Sequence, residues 1–213
     1  SSSLQILESR IRHDLRLLQF PPENWVKSKV TDEGKKITDV VIIGGGMCGL
    51  VSAFALLKSG IRNIRIFDSQ LQGREGPWLN YARMDTLRSP KDLVGPALGL
   101  PGLTFQAWFL AKWGAVSWNE LEKIPTAMWM EYLVWYRRVL DLPVENGKEV
   151  TLIEPKEYGF NLQVDDQNNF EDIATRKVIL ATGREGMAEK RIPVAFRGFM
   201  GPSCQHSSED IDF

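Results

Sequence analysis

Residues 40–57 read VVIIGGGMCGLVSAFALL and contain no charged side chain. A run of that length reaches the lower edge of what a helix needs to cross a bilayer, but the glycines at its centre argue against a span. Gly44, Gly45 and Gly46 each bring the largest backbone entropy cost a residue can add to a helix, and Val40 to Ile43 are β-branched residues suited to a strand. The stretch therefore divides into a short buried strand over 39–43, a tight turn, and a helix over 49–59 closed by Gly60.

Working outward, Ile61, Ile64, Ile66 and Phe67 supply a second apolar strand that ends at Asp68. Gly44-x-Gly46-x-x-Gly49 thus lies between a strand and a helix, with an acid at the tip of the next strand about 20 residues on, which is the dinucleotide-binding fingerprint in its full context. Each residue type has a reason. Gly44 permits the turn, Gly46 lets the backbone approach a pyrophosphate, and Gly49 lets the helix pack on the strand. Free N–H groups around Met47, Cys48 and Gly49 meet negative charge with the favourable end of the helix dipole. Asp68 is placed to accept hydrogen bonds from an adenosine ribose, and its charge disfavours a ribose phosphate, so FAD or NAD is expected here rather than NADP. Cys48 is read as a small side chain required beside the cofactor, not as a redox centre, because no resolving cysteine is near.

The remaining composition narrows the field. The 213 residues are 43% hydrophobic, and 26 Lys plus Arg against 27 Asp plus Glu leave a net charge of -1. A polyanion partner has no electrostatic basis in that balance, so no nucleic-acid role is expected. Cys48 and Cys204 form no Cys-x-x-Cys pair, so neither a disulfide scaffold nor a metal site is expected, and a reducing cytoplasmic setting fits. No signal peptide is recognised, and no membrane association is expected.

Residues 1–36 read as an N-terminal helical extension. Leu4, Leu7, Ile11, Leu15 and Leu18 share one face until Pro21-Pro22 stops the helix, and that face, with Trp25, is expected to pack on the main domain. Residues 37–213 read as one dinucleotide-binding domain with a helical insertion over about 94–142. The loop after Asp68 is long and rich in Gly, Arg and Trp, which marks functional loops more often than spacers. The insertion holds Trp108, Trp113, Trp118, Trp129 and Trp135, and core packing is the expected role of these rings. Residues 149–153, 160–164 and 177–181 read as strands, the second with the alternation of a half-buried antiparallel strand.

With the fingerprint, the Gly76-Pro77-Trp78 loop and the Ala181-Thr182-Gly183 strand end on the page, the chain resembles the flavin-dependent monooxygenase superfamily, which includes Baeyer–Villiger, N-hydroxylating and flavin-containing monooxygenases. The resemblance runs from about residue 38 to the end. It implies an α/β, Rossmann-like FAD-binding domain with a parallel sheet, an aromatic-rich helical segment and an N-terminal helix, incomplete relative to the full family fold. By position, Gly44, Gly46 and Gly49 correspond to the FAD pyrophosphate loop and Asp68 to the ribose acid. Gly76 and Trp78 match the Gly-x-Trp beside the flavin. Arg83, Met84 and Asp85 fall where the next loop approaches the ring, and Ala181, Thr182 and Gly183 where the chain crosses FAD.

Phe199, Gly201, His206 and Asp210 supply the letters of the Baeyer–Villiger signature, but four residues rather than three separate Gly201 from His206. Arg83, Asp85 and His206 are the catalytic candidates on this reading. The chain holds no second Gly-x-Gly-x-x-Gly and no Gly-Asp pair, so no nicotinamide domain is expected within it. The resemblance implies FAD as cofactor, NAD(P)H as co-substrate of the complete enzyme, and transfer of one oxygen atom from O2 to a small organic substrate. A flavin or disulfide reductase and a non-catalytic dinucleotide-binding module are the alternatives. Self-association into a homo-oligomer is expected if an apolar face is left uncovered.

Overall fold

A computed structural model describes residues 2–166, 169–183 and 192–201. Its centre is the strand read from the opening stretch. Strand β1 (Thr38–Ile43) leads through the glycine turn into helix α2 (Met47–Lys58), and β2 (Ile64–Asp68) returns beside β1. Before them lies α1 (Ser3–Leu17); after them come α3 (Phe105–Glu120), α4 (Thr126–Val139), β3 (Val144–Asn146), β4 (Glu149–Lys156), β5 (Gly159–Asp165) and β6 (Phe170–Leu180).

The six strands form one sheet in the order β3-β2-β1-β6-β5-β4. The pairings of β2 with β3, β1 with β2, and β1 with β6 are parallel, whereas β5 pairs antiparallel with both β6 and β4. A parallel dinucleotide-binding half thus continues into an antiparallel meander, as the alternation over 160–164 suggested. Strand β6 serves both: its first half pairs with β5 and its second with β1, and the two registers meet at Thr175. That residue is fully buried, and its hydroxyl donates to the Thr38 carbonyl at 3.1 Å.

Side-chain alternation along β1 divides the core. Val40 and Ile42 face the helices with Ile64 and Ile66, while Val41 packs with Phe67, Leu162, Val164 and Ile173 on the other side. The helical side is dominated by aromatics. Phe105 and Tyr132 each pack against Trp108 and Trp129 with ring centroids within about 6 Å, and the Tyr132 hydroxyl donates to the Leu103 carbonyl at 2.6 Å. Trp108, Trp118, Trp129 and Trp135 are buried as expected, while Trp113 is partly exposed. Helix α3 is kinked at Gly114, whose φ of 79° no helix accommodates.

Helix α1 docks on this layer through Ile11 and Leu15 and also through a charge. Glu8 is buried and accepts hydrogen bonds from the Trp135 indole at 3.1 Å and from Arg138 at 2.5 Å. Leu18, expected on the packed face, is exposed because the helix ends at Leu17. Trp25 is largely exposed as well. Its ring edge lies against Gly60 and its indole N–H donates to the Ser59 carbonyl at 2.8 Å, which fastens the N-terminal segment to the end of α2.

Among the described residues no helix is long and apolar enough to cross a membrane. The glycines that break the opening stretch are the reason it divides between β1 and α2.

Candidate functional site

The parallel strands deliver their carboxyl ends to one place, and a cleft of about 760 Å³ opens there. Five chain segments wall it, one of them Lys148–Val150. The first is the glycine turn and the start of α2, with Gly44, Gly46, Met47 and Cys48; the second is the tip of β2, with Phe67, Asp68, Ser69 and Gln70. The loop Gly76–Tyr81 forms the third wall, and Ala181, Thr182 and Gly183 after β6 form the fourth.

Close backbone approach explains the glycines. Gly44 has a φ of 106°, and a Cβ on it would lie 2.4 Å from the Ala181 carbonyl oxygen, so the turn and the end of β6 cross in contact. A Cβ on Gly49 would stand 1.8 Å from the Gly44 carbonyl oxygen; Gly49 closes the turn from below and does not line the cleft. Gly46 is different. A Cβ there would meet the Gly76 Cα at 3.7 Å, an ordinary contact, so the fold itself tolerates a methyl that a ligand pressed against the turn would not.

The start of α2 has Gly46 as its N-cap, and no side chain caps it. Its first N–H groups face the cleft as a site for negative charge. Asp68 is 7% exposed, and both its oxygens accept backbone N–H groups: Oδ2 from Gly45 at 2.6 Å and Oδ1 from Gln70 at 2.8 Å. Burial raises its pKa from the ordinary value, an effect that those two N–H groups oppose. Each oxygen keeps a further lone pair for a ligand hydroxyl. Among the described residues the buried Thr182 hydroxyl, a cleft-lining group, has no hydrogen-bond partner, which marks a place a ligand would complete. An uncapped helix start, glycines at the close approaches, a buried acid and an orphaned hydroxyl suit a dinucleotide.

Of the residues singled out in the sequence, Gly44, Gly46, Met47, Cys48, Asp68, Gly76, Trp78, Ala181, Thr182 and Gly183 are brought together around this cleft. Cys48 is exposed on its wall rather than buried like a small hydrophobe. Arg83, Met84 and Asp85 do not line it. They run toward the start of α4, where the Asp85 carbonyl accepts from the Thr126 N–H at 3.0 Å and Thr86 pairs with Pro125. His206, with Asp210, lies outside the described residues. Among the described residues no group of His, Cys, Asp and Glu is placed to hold a metal ion.

Sequence reading missed Tyr81, Asn80 and the segment Lys148–Val150, all of which line the cleft. The last arrives through β3, a strand of only three residues that carries no readable periodicity.

The sequence pattern of the pyridine nucleotide-disulphide oxidoreductases matches residues 41–209. The chain belongs to that family. It is 42% identical over 216 residues to an FAD-dependent urate hydroxylase of Xanthomonas campestris pv. campestris, an alignment covering 99% of this chain and 44% of the relative. This family member therefore spans less than half the length of the curated relative it matches. Solved structures share the fold. An ornithine hydroxylase from Pseudomonas aeruginosa superposes with a TM-score of 0.61 at 20% identity, over 76% of this chain and 42% of that one. A flavin-containing monooxygenase from Stenotrophomonas maltophilia gives a TM-score of 0.56 at 26% identity, over 73% of this chain and 40% of that one.

Proposed function

We propose that this chain is the FAD-binding portion of an NAD(P)H-dependent flavin monooxygenase that places one oxygen atom from O2 on a small organic substrate. The observation that carries the reading is the convergence of Gly46, Asp68, Gly76 and Thr182 on one cleft at the ends of the parallel strands. The 42% identity to a protein named as an FAD-dependent urate hydroxylase supports it and makes urate, or a related oxidised purine, the first substrate to test.

The N–H groups at the start of α2 would hold the pyrophosphate, and the free lone pairs of Asp68 the adenosine ribose hydroxyls. Thr182 would donate to the ligand, while Trp78 and Tyr81 would shield it from water on the side opposite the turn. Bound FAD supplies the redox chemistry, taking reducing equivalents from NAD(P)H and delivering them to O2; the protein orients it. A reducing cytoplasmic location belongs to the same proposal.

The test is turnover of the purified full-length protein with FAD, NADH or NADPH, urate and isotopically labelled O2. Substrate-dependent NAD(P)H consumption with one labelled oxygen in the product is expected. Consumption that yields only hydrogen peroxide, with urate and every other heterocycle tried, would overturn the monooxygenase reading in favour of a reductase.

A further inference from the structure

The loop that carries Gly76 and Trp78 is held through its own Glu75 by two polar side chains from distant parts of the chain, Arg137 and Asn146. Glu75, immediately before Gly76, is 2% exposed. Its Oε1 accepts from the Arg137 guanidinium at 3.0 Å and from the Asn146 amide at 2.8 Å, and its Oε2 accepts from the Gly73 N–H at 2.7 Å. Arg137, near the end of α4, also donates to Asn146 Oδ1 and to the Val144 carbonyl, each at 2.6 Å. Asn146 ends β3 and donates to the Gln70 carbonyl at 2.9 Å. Gln70 in turn gives its N–H to Asp68. An unbroken set of hydrogen bonds therefore runs from the acid at the tip of β2 to the residue before Gly76.

From this arrangement we infer that Glu75, Arg137 and Asn146 are positioning residues for the flavin site, setting the distance between the Gly76 wall and the glycine turn opposite. None of the three lines the cleft. Their effect is on geometry. Gly46 and Gly76 face each other backbone to backbone, so a shift of the loop by a fraction of an ångström changes the shape of the cleft that both line. A buried carboxylate keeps one position only if its charge partner stays put, and Arg137 is fixed at its other end by Val144 and Asn146. The arrangement also gives the aromatic insertion a role at the site, since α4 supplies the cation. The inference rests on the FAD reading of the cleft.

Three variants test it in the full-length protein: Glu75→Gln, the double variant Glu75→Gln with Arg137→Met, and Asn146→Ala. The single charge removal leaves Arg137 without its carboxylate, so both the melting temperature and FAD affinity should fall. The double variant removes both charges together, and its melting temperature should recover. Its FAD dissociation constant should nevertheless stay about tenfold above that of the wild type, and that of Asn146→Ala about threefold above, as loss of hydrogen bonds to charged groups implies. Hydrogen exchange in the flavin-free variants should be faster at Gly73–Trp78 and unchanged at Val40–Ile43.

Wild-type FAD affinity in the double variant, or unaltered exchange at Gly73–Trp78 in all three, would overturn the inference and leave the ion pair a purely structural one. If the wild type itself takes up no FAD, the functional reading fails first. Exchange at Gly73–Trp78 then still decides whether the three residues place the wall.

Discussion

Gly46 and Gly49 stand three positions apart, yet they are glycine for different reasons. A Cβ on Gly49 collides with the Gly44 carbonyl oxygen at 1.8 Å, whereas one on Gly46 meets only Gly76 at ordinary contact distance. Gly49→Ala should therefore destabilise the fold by about 1–3 kcal/mol, the usual cost of forcing a methyl into a filled space. Gly46→Ala should leave the denaturant midpoint within about 0.5 kcal/mol of the wild type while abolishing tight FAD binding. Equal loss of stability in both would contradict the assignment. Asp68 adds a pH dependence. Burial raises its folded pKa above the ordinary 3.8, so the folded chain holds this proton more tightly than the unfolded one does. Its contribution to stability is full below pH 3.8 and is lost as pH rises through the folded value. Denaturant midpoints should accordingly show the wild type losing ground to Asp68→Asn from pH 3.8 toward neutrality. Parallel curves would refute that charge balance.

At the scale of elements, Arg65 ties three strands together. From β2 it donates to both oxygens of Glu145 on β3 at 2.7 Å and to Glu171 on β6 at 2.7 and 3.2 Å. The Arg65 hydrogen bond holds the Glu171 carboxyl below its ordinary value. For Glu145, burial pushes upward but the hydrogen bonds from Arg65 and Lys148 prevail and lower it. Both carboxylates thus stabilise the fold above pH 4.5, and the contribution is lost as pH falls through their folded values. Arg65→Met should cost about 1–2 kcal/mol near neutral pH, carried mainly by Glu145 because half-exposed Glu171 is screened by solvent. Chemical denaturation across that range should find the difference shrinking in acid; a difference constant with pH would rule the ion pairs out as its cause. These contacts also show where sequence reading stops. The glycine turn and Asp68 were legible because a special backbone geometry is written in residue type. The first half of β6, with Glu171 and Asp172, looks too polar for a strand until its neighbours are known. Likewise Arg83, Met84 and Asp85 leave the cleft because residues 85–87 pair with 124–126, a long-range bond no local pattern encodes.

At the scale of the whole molecule, the aromatic insertion and α1 make a single core with the helical face of the sheet. Core packing was legible for Trp108, Trp118, Trp129 and Trp135 but not the exposure of Trp113, which lies just before the kink at Gly114. The sequence could not show that Arg137 reaches out of that layer to Glu75, 62 residues earlier, and so joins the insertion to the cleft. What the molecule presents as a unit is one dinucleotide-sized cleft whose walls come from five separate segments. The measurement that bears most directly on this account is FAD uptake by the purified protein, followed by flavin absorbance and by identifying the nucleotide released on denaturation. One FAD per chain, lost on Gly46→Ala without loss of folding, is the result expected. A folded chain that ignores FAD even in large excess would contradict the account.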